Sequence, residues 1–335
     1  MAWLSRIAIV VVLTPLFVVF IRHDGPQYTM AVALQSWSKP YFNVEPYRAT
    51  PNCDGAADCE TGTLKVMTYN VMCRVCQVAN YDTWDERWPH LEDVIAKYDA
   101  DLLGLQELGG YGDIDRVVKA FPQYAYETYR FGPWTDGDAA LFYRRDRFDL
   151  LDAGQMWLSP KPALPFAHNW KTLSVPRYVN WVYLRQKRNG FRFLFVNTHF
   201  DNNGTNKEPS AALFARTFRS VAESTPIIAT GDFNTGQRDD RYKTLLGVAD
   251  GGAVFKDTMD LAPAQLLCTA IPSGMTAEDV HIHADLPWTV DHVLLAGPVE
   301  ATVTSWVQDA TVYGPQKRWP SDHPSVFAHL NIRMR

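Results

Sequence analysis

The stretch Pro226-Ile-Ile-Ala-Thr-Gly-Asp-Phe-Asn234 decides how the rest of the chain is read. Its first five residues are a short apolar run with β-branched members, the pattern of a buried strand that ends at Gly231. Asp232 and Asn234 stand just where that run stops. Other apolar runs carry polar residues in the same place. Leu64 to Val71 has Asn70 near its close, and Asp101 to Gln106 hands on to Glu107. Phe191 to Asn197 is followed by His199 and Asp201. Trp288 to Leu295 contains Asp291, and Asp322-His323 precede the run Pro324 to Leu330.

Between these runs the pattern changes period. Trp84, Trp88, Leu91, Val94 and Ile95 recur at helical spacing and predict a helix over 83–98. Ala139 to Tyr143 reads as a strand, Arg144 to Arg147 as a solvated turn, and Phe148 to Trp157 as the return strand. Tyr178 to Arg185 and Phe191 to Asn197 form a predicted hairpin about a two-residue Asn189-Gly190 turn. Ser210 to Val221 is helical, and alternation over 299–307 gives a further strand. Strand pairs mixed with helices imply two packed sheets with helices outside rather than a simple βαβ series.

The chain has 335 residues, 47% of them hydrophobic, enough for a large core. Its formal net charge of −5 weighs against a dedicated nucleic-acid binder, which usually carries a basic face. Residues 7–21 (IAIVVVLTPLFVVFI) hold no charge and lie between Arg6 and Arg22. That length suits a short membrane anchor or a signal-peptide core, so residues 1–23 are read as an N-terminal anchor or signal segment. Residues 24–62 are read as a linker and 63–335 as one domain, held at the membrane outside the cytoplasm or secreted. In that compartment a Cys53–Cys59 bridge is expected, and Cys73 and Cys76 are read as a second small bridge or two ordinary thiols. No second C-x-x-C or His pair accompanies them to make a zinc site.

An Asn, a Glu, several Asp and two His at strand ends suit phosphoryl transfer assisted by a hard cation. At this point the sequence resembles the endonuclease/exonuclease/phosphatase superfamily. The runs LKVMTYNV, LLGLQE, FLFVNTHFD, ATGDFN, VDHVLL and SDHPSV stand in that family's order, from Leu64 to about Asn331. The resemblance implies a four-layer α/β sandwich, two mixed β-sheets packed face to face with helices outside. It implies that Asn70, Glu107 and Asp322 hold a metal, Mg2+ or Mn2+. It also implies that Asp232 orients or deprotonates the attacking water and that Asn234 holds that water or a phosphate oxygen. His323 would donate to the phosphate with Asp291 fixing its ring, His199 would contact phosphate or protonate the leaving group, and Arg177 would contact phosphate.

The expected activity is metal-dependent hydrolysis of a phosphate ester. The first reading is a phosphodiesterase, nuclease-like or acting on phospholipid head groups. The alternative is a phosphomonoesterase for a small sugar or inositol phosphate. The full set of acid, amide and histidine residues speaks against a catalytically silent binding protein. The expected partners are the phosphate ester (nucleic acid, nucleotide or phospholipid head group) and, through the N-terminus, the membrane; a monomer is expected. Asp201 is read evenly as site or turn, His281 and His283 as a solvated edge, and His168 and Trp170 as candidate pocket lining.

Overall fold

The structure, a computed structural model, describes residues 59–76, 81–128, 130–131, 135–136, 138–163, 170, 177–248, 251–263, 267–270 and 289–335. Strand β1 (Thr61–Asn70) is buried on both faces. Leu64 and Val66 join the apolar cluster on one side, Met67 and Tyr69 that on the other. A strand of that kind must lie between two layers. Helix α1 (Trp84–Tyr98) supplies one of them, burying Trp84, Trp88, Leu91, Val94 and Ile95. Its start is fixed where the Thr83 N–H donates to the Glu86 carboxylate at 2.9 Å.

The chain then runs through β2 (Leu102–Gln106), α2 (Tyr111–Ala120), β3 (Tyr124–Glu127), β4 (Arg130–Phe131), β5 (Thr135–Asp136), β6 (Ala139–Arg144) and β7 (Phe148–Trp157). After these come β8 (Tyr178–Gln186), β9 (Arg192–His199), α3 (Gly204–Arg219), β10 (Ile227–Asp232) and α4 (Asp240–Leu245). The last elements are β11 (Phe255–Asp257), α5 (Thr258–Leu261), β12 (Leu267–Ala270), β13 (Asp291–Ala296), β14 (Val299–Asp309) and β15 (Ser325–Met334).

One sheet has seven strands in the order β12-β14-β15-β1-β2-β6-β3; the other has six, β11-β13-β10-β9-β8-β7. Both are mixed: β1/β2 and β9/β10 are parallel, and most other pairs are antiparallel. Leu64, Val66, Leu141, Val326 and Leu330 of the first sheet pack on Val182, Phe193, Phe195, Ile228 and Val293 of the second. α1 and α2 cover the outer face of the first sheet, and Leu213, Phe214 and Phe218 of α3 that of the second. This is the expected two-sheet α/β sandwich with helices outside.

The sheets come close where their inner faces carry polar residues. Gln106 Nε2 donates to Asn197 Oδ1 at 2.7 Å, and Thr230 Oγ1 donates to the same oxygen at 3.0 Å. Asn197 Nδ2 donates to the Leu105 and Ala140 carbonyls at 3.0 and 2.8 Å. Gly104 permits this approach, since a Cβ there would stand 2.2 Å from Thr230 Oγ1 and 2.6 Å from Asn197 Oδ1.

Several boundaries differ from the sequence reading. β1 begins at Thr61, within the expected linker, because Thr61 and Gly62 pair with Arg333 and Ile332. Gly62 reads as a linker residue but is a packing residue: a Cβ there would lie 2.6 Å from the Phe191 ring. The β8–β9 connection is a four-residue turn, not a two-residue one, with Gln186 and Phe191 bonded across it at 2.7 Å. Gly190 alone in it has a positive φ, +81°. α3 starts at Gly204 rather than Ser210, capped by Asn203 Oδ1 accepting from Thr205 N at 3.0 Å; Pro209 sits inside it. Its orphaned first turn is thus satisfied well before the apolar stripe begins.

Cys73 and Cys76 form a disulfide, and Cys59 is disulfide-bonded. Its expected partner Cys53 lies outside the described residues, as do the expected anchor 1–23, most of the linker, His168, His281 and His283. Among the described residues no helix is long and apolar enough to cross a membrane.

Candidate active site

Strand register brings the candidate residues together. In the first sheet Asn70 pairs with Gln106, so Asn70 and Glu107 close two adjacent parallel strands. In the second sheet Asp232 pairs with His199 on one side and with Asp291 on the other. The two rims face each other. Asn70 Nδ2 bridges them, donating to Glu107 Oε1 and to Asp232 Oδ2, both at 3.0 Å.

Asp232 is the centre of the network. Its Oδ1 accepts the Asn234 backbone N–H at 2.8 Å. Its Oδ2 lies 3.3 Å from His199 Nε2 and 3.7 Å from His323 Nε2. Burial alone would raise its pKa, but the two histidines and the Asn70 amide hold it far below the ordinary carboxylate range. Asn234 has φ +50°, which turns its backbone N–H onto Asp232, while its Nδ2 donates to the Phe200 carbonyl at 3.0 Å.

The two histidines are each backed by a second carboxylate. His323 Nδ1 meets Asp291 Oδ2 at 2.8 Å. Burial pushes its pKa down, yet Asp291 and Asp232 outweigh burial and raise it well above the usual value. His199 Nδ1 meets Asp138 Oδ1 at 2.9 Å. Burial and Arg177 oppose its protonation, and Asp138 with Asp232 overcomes both, raising its pKa to about 9. Arg177 NH1 stands 2.6 Å from Asp138 Oδ2 and 2.6 Å from His199 Nδ1. Two N–H groups do not bond each other, so the Asp138 carboxylate between them holds this contact. The carboxylates around both imidazoles favour their protonated forms beside Asp232.

Asp138 was not among the sequence candidates. It sits in a turn ahead of β6, and nothing in the local pattern marks it. Its N–H donates to the Tyr178 hydroxyl at 3.0 Å. Its position explains why Arg177, read from sequence as a phosphate contact, is here paired with a carboxylate and a histidine. Asp201 resolves the other way: Oδ2 accepts from Asn206 Nδ2 at 2.7 Å and Oδ1 from Asn203 N at 3.0 Å, a helix-entry role. Trp170 is likewise committed to packing, its Nε1 donating to Ser210 Oγ at 2.9 Å. Arg144 and Arg147 pair with Asp146, Asp99 and Asp101.

Glu107 and Asp322 lie at the other end of the network. Glu107 Oε2 accepts the Cys73 N–H at 2.8 Å, and Glu107 itself has φ +65°. Such a backbone costs about 1–3 kcal/mol at a bulky residue, a common mark of a functional position. Ser321 Oγ donates to the Asn70 carbonyl at 2.6 Å and so docks the Asp322 loop onto β1. Buried Arg87 ties the same parts together through the Val71, Met72 and Pro320 carbonyls. Burial raises the pKa of Asp322; His323 opposes, and the charges of Glu107 and Asp232 add to the rise. Negative charge from several carboxylates thus gathers around Asp322. An all-oxygen set of that kind fits a hard divalent cation. Asp232, Asp291 and His323 also place ligand atoms within 4.8 Å of one another, but the 2.8 Å His323–Asp291 pair already balances charge there.

The loops after β9 and β10, the strands ending on His199 and Asp232, border an open groove of about 1010 Å³. Asn203, Thr205, Glu208, Arg238 and Arg241 line it.

A profile described as the endonuclease/exonuclease/phosphatase family matches residues 67–323. A family protein of that description from Bacteroides thetaiotaomicron is 26% identical, with a TM-score of 0.66 over 81% of this chain and 95% of that one. A mannosyl-6-phosphatase from the same organism is also 26% identical, with a TM-score of 0.65 over 80% of this chain and 99% of that one. D. rerio TDP2, solved with a single-strand DNA product, shares the fold at 17% identity and a TM-score of 0.59 over 80% of this chain and 98% of its own. No curated protein matches. The sandwich, with opposed strand ends carrying acid, amide and imidazole groups, is that of a phosphoesterase hydrolase. The chain belongs to the endonuclease/exonuclease/phosphatase family, which is generally divalent-metal dependent.

Proposed function

We propose that the protein hydrolyses a phosphate monoester of a small sugar or polyol by direct attack of water. The observation that carries hydrolysis is Asp232, a buried carboxylate held between two imidazoles and the Asn70 amide. The Asp232 carboxylate faces N–H donors on three sides, which favours its charged form. It therefore orients the water as a hydrogen-bond acceptor, and Asn234 aligns it. His323 and His199 donate N–H groups to phosphate oxygens, where negative charge builds in the transition state. Asp291 and Asp138 keep those rings charged and aimed.

Glu107, Asp322 and Asn70 would hold the metal, Mg2+ or Mn2+. When bound, the ion neutralises charge on the phosphate and leaving oxygen. The monoester reading is supported by similarity to a phosphatase along nearly the whole of that chain and by the net charge of −5, which disfavours long polyanions. The groove bordered by the loops that follow His199 and Asp232 favours a second reading, a phosphodiester whose second alcohol occupies it. The disulfides support a location outside the cytoplasm, secreted or anchored through residues 1–23.

The test is turnover of hexose 6-phosphates, inositol phosphates, bis-p-nitrophenyl phosphate and oligonucleotides, each with magnesium and with chelator. Monoester turnover lost on chelation supports the proposal. Turnover of diesters alone moves the assignment to the second reading. Full activity after exhaustive chelation removes the metal from it.

A further inference from the structure

The C-x-x-C turn at the end of β1 abuts the proposed metal carboxylate. The Cys73 N–H donates to Glu107 Oε2 at 2.8 Å, and Cys76 Sγ lies 3.6 Å from the same oxygen. One ligand atom from each of Cys73, Cys76 and Glu107 falls within 4.8 Å of the others. In the disulfide neither sulfur carries the charge that a metal ligand needs, so Glu107 serves an oxygen site.

The turn is held in place by bonds that do not depend on the disulfide. Met72 is fixed through its N–H to Asn70 Oδ1 at 3.0 Å and its carbonyl to Arg87 NH2 at 2.8 Å. Arg74 is paired with the buried Asp113 at the start of α2. The Cys76 N–H donates to the Cys73 carbonyl at 3.1 Å, which closes the turn in backbone as well. Opening the S–S bond therefore leaves two thiols beside Glu107. Both cysteines are only half-buried, and Val75 between them is 80% exposed, so a reductant can reach the bond.

The geometry points to a second, redox-gated metal site: reduced Cys73 and Cys76, with Glu107, bind a soft divalent cation such as zinc. A dithiol reductant opens the bond by exchange, giving two protein thiols and leaving the reductant as its own disulfide. Zinc binding then releases the two thiol protons to solvent. Two thiolates and one carboxylate make three protein ligands, and water completes a tetrahedral set. Two sulfur donors shift the preference of the site from magnesium toward zinc. Because the two sites share Glu107, zinc at the thiols withdraws that carboxylate from the oxygen site. The inference uses the assignment of Glu107 as a metal ligand only for this last consequence.

The test uses the full chain and reads binding without catalysis. The protein is reduced with a phosphine, which takes oxygen from water and releases two thiols per disulfide. The phosphine is removed, and cobalt(II) is added as a spectroscopic stand-in. The expected result is a thiolate-to-cobalt absorption that saturates at one ion per chain and is bleached by zinc. It is absent from the oxidised protein and from the reduced Cys73→Ser/Cys76→Ser variant. Reduction should tighten zinc binding by roughly 100-fold. Cys73→Ser alone is the control if the double variant does not fold. No band in reduced protein that carries two more counted thiols than the reduced double variant overturns the proposal. So does a band of equal strength in the folded serine variants, which would place the metal on other cysteines. Absence of metal-dependent hydrolysis from the oxidised protein, which shows no band, would instead count against the proposed function.

Discussion

Asp232 and His323 can be read as a charge pair before any substrate binds, and each should be indispensable to hydrolysis. Asp232→Ala and His323→Ala are expected to slow turnover by about 10² to 10⁴-fold while the circular dichroism spectrum is kept. Near-normal rates in either folded variant would remove it from the site. Asp138 gives a sharper test, because it was found only by its contacts. It is among the charges that lift His199 to about 9. Asp138→Asn removes one of the two carboxylates, so the His199 imidazole should titrate at lower pH, and the rate should fall at alkaline pH first. An NMR titration of His199 that did not move would show that Asp232 alone sets its charge. Most of the site was legible because polar residues that end apolar runs are few. Asp138 was not, because a lone Asp in a turn looks like any turn residue.

Elements place those residues by register. The parallel pairs β1/β2 and β9/β10 align Asn70 with Gln106 and His199 with Asp232. A one-residue slip would turn every such side chain to the other face. Gly104 guards the point where the two sheets meet. Gly104→Ala would drive a methyl into Thr230 and Asn197 and is expected to cost about 1–3 kcal/mol, measured as a lower urea midpoint. An unchanged midpoint would mean that the polar residues between the sheets can yield. The sequence pattern found β1, α1, β2, β6, β7, β8, β9, β10, β13, β14 and β15, which are continuous apolar runs or carry a clear apolar period. It passed over α2, β3, α4, β11 and α5, which are short or carry little periodic burial. It misplaced the start of α3, because Asn203 and Pro209 lie ahead of the apolar stripe.

At the scale of the whole molecule, burial of charge links stability to pH. His292 donates from both ring nitrogens, Nδ1 to Asp257 Oδ2 at 2.7 Å and Nε2 to the Thr235 carbonyl at 2.8 Å. Tyr242 OH and Met259 N also donate to Asp257, at 2.8 and 2.9 Å. Burial lowers the His292 pKa, and Asp257 more than reverses this, so the folded value is raised. A raised folded pKa gives stability that is whole below the unfolded imidazole value of about 6.5 and is lost as pH climbs through the folded value. Between those two points the loss is about 1.4 kcal/mol per pH unit. The melting temperature should therefore fall on the alkaline side, and less steeply in His292→Gln. Equal slopes in the two proteins would show that His292 does not titrate in the folded state. His199 and His323 act in the same direction, which is why the comparison is between slopes rather than curves.

The sequence by itself determined the two apolar periods, hence two sheets with helices outside, and the polar residues at the ends of the central strands. Those follow from local chemistry, since a strand buried on both faces tolerates polar groups only at its ends. The family likeness followed from the same residues in the same order. Tertiary structure decided which carboxylate faces which imidazole, that Arg177 is shared with Asp138, and that the C-x-x-C turn closes onto Glu107. These depend on how two sheets dock, and docking is set by shape at residues such as Gly104 and Gly62 that carry no chemistry of their own.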